Sequence, residues 1–368
     1  MQILCPIDRI MTDIAKYILC LSAAVLLLSC AGKDRYVTLT GFAQGGTYTV
    51  KFNIKDVDVR VEEIRDSVDA ILADIDNSLS GYNRNSLVSR FNEGDTIVPD
   101  NLFLDIYGHA YEIYRETGGI VDIASGPLFD LWGFGFKNGS MPSDEKVSHV
   151  MKGCGMNRMF PDMSAVVRPD GTLDGLSMLL CEKGRFTAVP PLPQLNYNAI
   201  AQGYSCDVIA AYLYSIGVKD MMVDIGEIYC DGKNPSGKQW TIGIDKPVDG
   251  NDQPGTQIQA VFSIPEGPHG VVTSGNYRKF YIKDGRKYAH TIDPRTGYPV
   301  SHTLLSATII APDAMTADAY ATYCMVVGLE ASKEFLASRP DLSGYLVYDD
   351  AGVFATWTSE NFPPVSTL

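Results

Sequence analysis

Two side chains with hard oxygen atoms, Asp318 and Thr322, lie four residues apart in the segment DAMTADAYATYCMVVGL (residues 313–329), whose pattern predicts a helix. Residues at this spacing lie one above the other on the same helix face, so the carboxylate and the hydroxyl share a direction. Mg²⁺ and Ca²⁺ prefer such oxygen ligands. The pair is therefore a candidate metal site. The alternative is a solvent-facing aspartate beside a buried threonine, and the spacing alone leaves both open.

A histidine, His290, precedes a stiff turn in the segment YAHTIDPRTGYP (residues 288–299). Aspartate, proline and glycine at positions 293, 294 and 297 are typical turn residues, and they prevent regular structure from continuing through the segment. One interpretation is that His290 merely caps the preceding strand. The other is that the rigid turn holds polar groups against a ligand.

Three further segments carry groups that suit a ligand, and each has a structural alternative. NAIAQGYSCD (198–207) opens a helix with small residues, which leaves backbone groups reachable, although Gly203 could instead permit close helix packing. VDIASGPLFDLWGFG (121–135) mixes glycine and proline with aromatic residues and suits a planar ligand. SLSGYNRNSLVSRFN (78–92) places Tyr82 in a polar turn, where its ring could stack on a base or flavin or simply precede a short helix. GxGxxG and P-loop spacings are absent, which excludes the usual nucleotide motifs.

Apolar periodicity predicts the helices that would position these groups. Spacings of three and four residues indicate an amphipathic helix over Val61–Leu79. A second helix is predicted over Asn101–Thr117, where a glycine pair supplies the stop, and another over Ala199–Ile216.

Strand patterns surround these helices. Residues 36–54 read as two strands around a glycine turn, several strands follow between 219 and 292, and 344–358 form a hairpin. Asp284-Gly285 is a strong type I′ turn signal. Because strands and helices mix without βαβ alternation, the predicted class is α+β. With no internal repeat and no convincing linker, residues 36–368 are expected to form a single compact, interwoven unit of antiparallel sheets with flanking helices.

Composition limits the possible partners. The 368 residues are 45% hydrophobic and 20% charged, as in ordinary globular proteins. A net charge of −14 argues against nucleic acid, whose phosphates are bound by clustered Lys and Arg. Such an acidic chain is expected to need a cation to bind a phosphorylated small molecule. Five cysteines follow residue 30 without CxxC spacing, which favours buried thiols over a zinc site or a disulfide framework.

The N-terminus has the pattern of an export signal. Lys16 precedes the apolar run YILCLSAAVLLLSC (17–30), which is too short for a membrane span and suits a signal-peptide core. Its end, LLSC, resembles the bacterial lipobox, in which the cysteine becomes the lipidated first residue. Residues 1–30 are therefore predicted to be a lipoprotein signal peptide, Cys30 the lipidation site and 31–35 a tether. The mature chain is expected to be exported, lipid-anchored to a membrane and periplasm-facing; a plain signal peptide is the alternative.

Taken together, these segments resemble a known family. GGTYTVKF, SGYNRNSLVSRFN, VDIASGPLFDLWGFG, NAIAQGYSCD, HTIDPRTGYP and TADAYATY occur in the order and spacing of the ApbE family, the FAD:protein FMN transferases. The resemblance covers nearly the whole mature chain. It implies an exported enzyme that binds FAD with Mg²⁺, transfers FMN to a Thr or Ser hydroxyl of an acceptor protein and releases AMP. The family's acceptors are subunits of the Na⁺-translocating NADH:quinone reductase and its Rnf relatives.

The resemblance also implies roles for individual residues. Asp318 and Thr322 match the family's metal ligands, and Ala199 matches a third ligand, through its backbone oxygen. His290 matches the histidine ahead of the family's IDP turn, and His290 or Asp318 is the candidate base for the acceptor hydroxyl. Contacts with the flavin nucleotide are implied for Gly45, which replaces a methionine usual in the family, and for Tyr82, Ile120, Val121, Asp122, Asn196, Gln202 and Ile292.

Two positions depart from the family pattern. Asn196 stands where an aspartate is common, and Gln202 stands where a lysine or glutamate often precedes Gly-Tyr. The loss of a carboxylate at Asn196 puts FAD affinity in question, whereas the metal pair is intact. Two alternatives to the transferase stay open: an FAD pyrophosphatase, in which water replaces the acceptor hydroxyl, and a non-enzymatic flavin-binding lipoprotein.

Overall fold

The computed structural model of the chain describes residues 34–135, 141–174, 181–182, 185–186, 192–251, 255–277, 280–283 and 285–367. The predicted signal peptide, the lipidation site Cys30 and the turn residue Asp284 lie outside the described residues, so these predictions stay as they were made. Among the described helices, none is both long and apolar enough to cross a membrane.

The helices all lie within the described segments. They are α1 (Val61–Leu79), α2 (Leu87–Asn92), α3 (Asn101–Glu116), α4 (Gly126–Trp132), α5 (Asp144–Met151), α6 (Ala201–Ser215), α7 (Ala314–Val327) and α8 (Leu329–Ser338), with 3₁₀ turns at Met156–Arg158 and Met163–Val166.

The strands are short, and most lie in the second half of the chain. They are β1 (Tyr36–Ala43), β2 (Gly46–Asn53), β3 (Thr96–Ile97), β4 (Leu173–Asp174), β5 (Cys181–Glu182), β6 (Arg185–Phe186), β7 (Met221–Asp224), β8 (Ile228–Asp231), β9 (Thr241–Asp245), β10 (Ile258–Ser263), β11 (His269–Gly275), β12 (Phe280–Lys283), β13 (Arg286–Ala289), β14 (Ile292–Asp293), β15 (Tyr298–Pro299), β16 (Leu304–Ala311), β17 (Ser343–Asp350), β18 (Val353–Thr358) and β19 (Val365–Thr367).

One large antiparallel sheet organises the molecule. Its eight strands run in the order β1-β2-β7-β8-β11-β16-β17-β18. A three-stranded sheet, β19-β10-β9, and four two-stranded ribbons complete the described sheet structure. The large sheet draws on both halves of the chain, because β2, which also pairs with β1, pairs on its other side with β7. The predicted α+β class, in one interwoven antiparallel unit, is confirmed.

The two faces of the large sheet are covered by different layers. In β11, Val272 packs with α7 and α8, whereas its neighbour Val271 packs with the three-stranded sheet. Ile309 and Ile310 in β16 divide in the same way. Because successive strand residues face opposite sides, a strand covered on both faces is expected to be mainly apolar. This burial accounts for the apolar run of residues 309–311 at the end of β16.

The predicted helices form almost where the periodicity places them. Val61–Leu79 has the predicted bounds, and Asn101–Glu116 ends one residue before the predicted Thr117. The third helix begins at Ala201, two residues after the predicted Ala199. The prediction of buried thiols is confirmed for Cys206, Cys230 and Cys324. Cys154 is half-buried and forms no disulfide. The side chain of Cys181 is not among those that the structure describes.

Candidate active site

A cavity of about 260 Å³ opens between the helices α6 and α7, the end of β11 and two loops. Most of the residues singled out from the sequence line this one cavity. They are Ile120, Val121, Asp122, Asn196, Ala199, Gln202, His290, Ile292, Asp318 and Thr322. A larger and more open depression of about 720 Å³ lies along α3. It contains none of these residues, so the smaller cavity is the candidate site.

The floor of the cavity is the contact between α6 and α7. Gly203 of α6 meets the first turn of α7 so closely that a Cβ atom there would lie 2.3 Å from the Ala314 carbonyl oxygen. The Gly203 amide donates a hydrogen bond to Oδ2 of Asp318 at 3.3 Å. The structural interpretation of Gly203 as a packing glycine is therefore correct. This packing also brings the start of α6 to the carboxylate of α7.

The oxygen atoms at this contact fit a hard divalent cation. Asp318 is only 5% exposed, and burial raises the pKa of its carboxyl well above the usual range. In a regular helix the Gly203 amide would donate to the Ala199 carbonyl, but it contacts Asp318 instead. Within the described residues, the Ala199 oxygen accepts no hydrogen bond. A desolvated carboxylate, an unused carbonyl and the Thr322 hydroxyl beside one cavity form a donor set suited to Mg²⁺.

A second carboxylate, the half-buried Asp122, also lines the cavity. Its oxygen atoms accept hydrogen bonds from the amides of Ala124 at 2.8 Å and Met156 at 3.2 Å. Burial raises the pKa of Asp122 to about 6. The Asn196 amide donates to the Ile123 carbonyl at 2.7 Å, which holds the loop before α6 against this wall. Asp122 therefore stabilises the loop geometry at the cavity in addition to lining it.

The turn after His290 is held rigidly from several sides. Arg295 makes a bidentate ion pair with Asp293, and the indole of Trp132 donates to the Gly297 carbonyl at 2.8 Å. Thr291 donates to the side chain of Asn276 at 3.0 Å. The ring of His290 lies edge-on to another cavity residue, Phe134, at a centroid distance of 6.5 Å. The turn thus holds His290 at the cavity wall, and the interpretation that it presents polar groups to a ligand stays a prediction.

Two predicted contact residues lie outside the cavity wall. Tyr82 is 66% exposed, and its hydroxyl accepts a hydrogen bond at 3.5 Å from Asn198, which does line the cavity. Tyr82 therefore stands at the rim. Gly45 lies in the β1–β2 turn at a φ of +81°, with open space where a side chain would be. Its neighbour Gln44 donates to Ser205 of α6. The roles of Tyr82 and Gly45 in flavin binding stay predictions.

Some cavity residues were missed in the sequence. Glu227 follows the turn after β7, and Thr273 and Ser274 lie near the end of β11. The only available signal was that polar residues cluster at the ends of otherwise apolar strands. That signal is weak, because strand ends are generally more polar than strand centres.

Solved structures share this fold and define its class. The chain aligns with the flavin transferase ApbE from Vibrio cholerae at a TM-score of 0.72 and 28% identity, covering 89% of this chain and 98% of that one. With the apo flavinyl transferase ApbE of Pseudomonas stutzeri the TM-score is 0.73, again at 28% identity, over 89% and 95% of the two chains. The chain therefore has the α+β fold of these flavin transferases.

The family follows from the sequence comparison. The ApbE family model matches residues 44–346, and the chain belongs to the ApbE family. It is 30% identical to the FAD:protein FMN transferase of Haemophilus influenzae over 94% of this chain and 96% of that protein. The same identity holds for the FAD:protein FMN transferase of Escherichia coli K12, over 93% and 95%. The predictions of ApbE membership and of a transferase are confirmed.

Two partly buried carboxylates make the stability of the metal-free protein depend on pH. Burial raises the pKa of Asp122 to about 6 and that of Asp207 to about 7, from a usual 3.8. The folded protein therefore keeps protons that the unfolded chain has already released, and the free energy of unfolding falls as the pH rises from about 4 to about 7. In EDTA, the melting temperature should be lower at about pH 8 than at about pH 5. The Asp207→Asn variant lacks one of these titrating groups, so its melting temperature should fall less between about pH 5 and about pH 8. An equal fall in the melting temperature of the variant and the unchanged protein would contradict the raised pKa of Asp207.

Proposed function

We propose that this chain transfers FMN from FAD to a Thr or Ser hydroxyl of an acceptor protein, in an Mg²⁺-dependent reaction that releases AMP. The names of its relatives support the flavin substrate and the protein acceptor. The contact between α6 and α7 supports the metal, because it brings Ala199, Asp318 and Thr322 to one cavity. That shared cavity is the observation on which the proposal depends. It also explains how a protein of net charge −14 binds a pyrophosphate.

The chain's own residues would divide the work as follows. Asp318, Thr322 and the Ala199 carbonyl would hold the cation. When bound, Mg²⁺ neutralises phosphoanhydride oxygens and stabilises the charge that leaves with AMP. The acceptor hydroxyl attacks the FMN-side phosphorus in line, the bond to the AMP phosphate breaks, and the hydroxyl proton passes to a base. The surrounding wall, with Phe129 and Phe134, limits water at the reacting phosphorus.

His290 is the better of the two candidate bases. Asp318 would serve as a metal ligand, and a carboxylate that donates its lone pairs to a cation is a weak proton acceptor. A histidine side chain is the group that most often acts as general acid or base in enzymes. The turn after His290 is held by the Trp132–Gly297 hydrogen bond and the Arg295–Asp293 ion pair, and it keeps His290 at the cavity wall. Asp318 is therefore assigned as a metal ligand, and His290 as the base that accepts the proton of the acceptor hydroxyl.

The proposed location follows from the N-terminal pattern. Lipidation at Cys30 would anchor the mature chain at a membrane surface, facing the periplasm, and residues 31–35 would serve as a tether. Acceptors must then be exported proteins or exported domains. Subunits of the Na⁺-translocating NADH:quinone reductase or Rnf type meet this requirement.

The two departures from the family pattern do not favour mere flavin storage. The side-chain oxygen of Asn196 accepts a hydrogen bond from the Asn198 amide at 3.0 Å. The Gln202 side chain donates to the Ile225 carbonyl at 3.0 Å. Both side chains therefore brace the backbone around the cavity, a role that does not require a charge.

Incubation of the full chain with FAD, Mg²⁺ and an acceptor domain is expected to give covalent FMN on the acceptor and one AMP per modified hydroxyl. Intact-mass measurement of the acceptor and an AMP assay check this. An acceptor whose target Thr is replaced by Val is the control and should stay unmodified. AMP and free FMN without a modified acceptor would instead identify a pyrophosphatase, and unchanged FAD would identify a storage protein.

A further inference from the structure

Asp207 on α6 makes a contact with α7 that none of the roles above requires. One of its carboxylate oxygens accepts the Ala314 amide and the other accepts the Met315 amide, both at 2.8 Å. Ala314 and Met315 are the first two residues of α7, the helix that carries Asp318 and Thr322. Asp207 is thus an N-terminal cap supplied by one helix to another, more than a hundred residues away.

The start of α7 uses two separate carboxylates. The first four amides of a helix have no partner within the helix. Asp313, the residue just before α7, accepts the Thr316 amide with its side chain at 2.7 Å and the Ala317 amide with its carbonyl at 3.2 Å. Asp207 satisfies the other two. Asp313 is therefore the local N-cap of α7, whereas Asp207 joins α7 to α6.

The contact lies on the same helix faces as the metal donors. Ala199 lies two residues before α6, and Gly203 and Asp207 follow it at intervals of four residues, with Gly203 and Asp207 on one face of the helix. On α7, Ala314, Asp318 and Thr322 have the same spacing. Gly203 meets both Ala314 and Asp318, and Asp207 meets Ala314, so the two faces run antiparallel. Along α6, Asp207 lies about one helical turn beyond Gly203.

The two helices are thereby joined by reciprocal carboxylate-to-amide bonds. Asp207 of α6 accepts amides of α7, and Asp318 of α7 accepts the Gly203 amide of α6. The Asp318 bond is the longer one, at 3.3 Å, and that carboxylate also has to serve the cation. The two 2.8 Å bonds of Asp207 are therefore the stronger constraint on how α7 slides and turns against α6.

We propose that Asp207 is a positioning residue for the metal site: by capping α7 from α6, it sets the separation between the Ala199 carbonyl and the Asp318 and Thr322 oxygens. This inference rests on the proposed Mg²⁺–FAD function. Ligand oxygens of Mg²⁺ must lie at about 2.1 Å in near-octahedral geometry, so a small shift of α7 weakens binding strongly. Asp207 touches neither metal nor substrate in this role.

The test compares two isosteric variants at the same helix end. Asp207→Asn keeps one acceptor oxygen and loses the other, which weakens the link between helices. Asp313→Asn alters the cap within α7 and leaves that link intact. For each full-length protein, the half-saturating Mg²⁺ concentration is measured from the flavin fluorescence of bound FAD, without acceptor, and the melting temperature is measured in EDTA. We expect Asp207→Asn to need about tenfold more Mg²⁺ and Asp313→Asn to match the unchanged protein, whatever their melting temperatures.

Each other outcome is informative. Equal Mg²⁺ requirements in the two variants, or a requirement that follows only the loss of melting temperature, would make Asp207 a purely structural cap and overturn the inference. So would an Asp207→Asn protein that fails to fold while Asp313→Asn folds. If the unchanged protein shows Mg²⁺-dependent FAD binding but no transfer, only the proposed transfer fails. If Mg²⁺ has no effect on the unchanged protein, the metal assignment fails and this inference fails with it.

Discussion

Replacement of Asp318 by asparagine is expected to reduce FMN transfer by about a thousandfold or more. The variant keeps the size of the side chain and an oxygen for the Gly203 amide, but it removes the charge that would hold the cation. A metal ion that stabilises phosphate charge contributes several kcal/mol to the transition state, and each 1.4 kcal/mol corresponds to a factor of ten in rate. The measurement is the initial rate of AMP release at saturating FAD and Mg²⁺.

Stability measurements separate this effect from unfolding. A buried carboxylate without a counter-charge is costly, so the metal-free Asp318→Asn protein should melt at the same temperature as the unchanged protein or above it. Addition of Mg²⁺ and FAD should raise the melting temperature of the unchanged protein and not that of the variant, since stabilisation follows from binding to the folded state. Full transfer activity in Asp318→Asn would refute the metal assignment.

Replacement of Gly203 by alanine is expected to lower the free energy of unfolding by about 1–3 kcal/mol, the usual cost of overpacking a close contact. The new Cβ would lie 2.3 Å from the Ala314 oxygen and 2.8 Å from the Cα atom of Met315. Both are backbone atoms, so α6 and α7 can accommodate the methyl group only by moving apart. That movement also separates the Ala199 carbonyl from Asp318. Mg²⁺-dependent FAD binding should therefore become weaker, in addition to the loss of stability. Urea denaturation and flavin fluorescence check the two effects.

A second helical glycine provides a matched control. Gly108 lies within α3, and an added Cβ atom there would meet nothing within 4 Å. Because alanine loses less backbone entropy than glycine in a helix, Gly108→Ala should raise the free energy of unfolding by about 0.5–1 kcal/mol. The two substitutions are identical in chemistry and are expected to have opposite signs. A stabilised Gly203→Ala protein with normal Mg²⁺ dependence would contradict the close contact.

Local patterns were sufficient for most helices and hairpins. The bounds of α1 followed from apolar spacing alone, because an amphipathic helix must repeat its apolar face every three or four residues. The hairpin of β1 and β2 followed from alternation around a glycine turn. That Asp318 and Thr322 share a face was equally predictable, since four-residue spacing is a property of the helix itself.

The start of α6 shows where local patterns fail. Periodicity predicts a helix from Ala199, but the described helix begins at Ala201. The cause is distant in sequence: the Gly203 amide donates to Asp318 of α7 instead of continuing the helix back to Ala199. No pattern within residues 198–207 contains that information.

By itself, the sequence determined the class of fold and the helix that carries the carboxylate and hydroxyl, because both follow from residue types at short, regular spacings, and the resemblance of six segments indicated the family. Only the tertiary structure decided that Ala199 and Asp318 line the same cavity, that Asp207 caps a distant helix, and that Tyr82 stands at the rim while His290 lines the wall. Several of these relations join residues that are more than a hundred positions apart in the sequence. The relations between α6 and α7 depend on how closely these two helices can approach, and the absence of a side chain at Gly203 permits that approach.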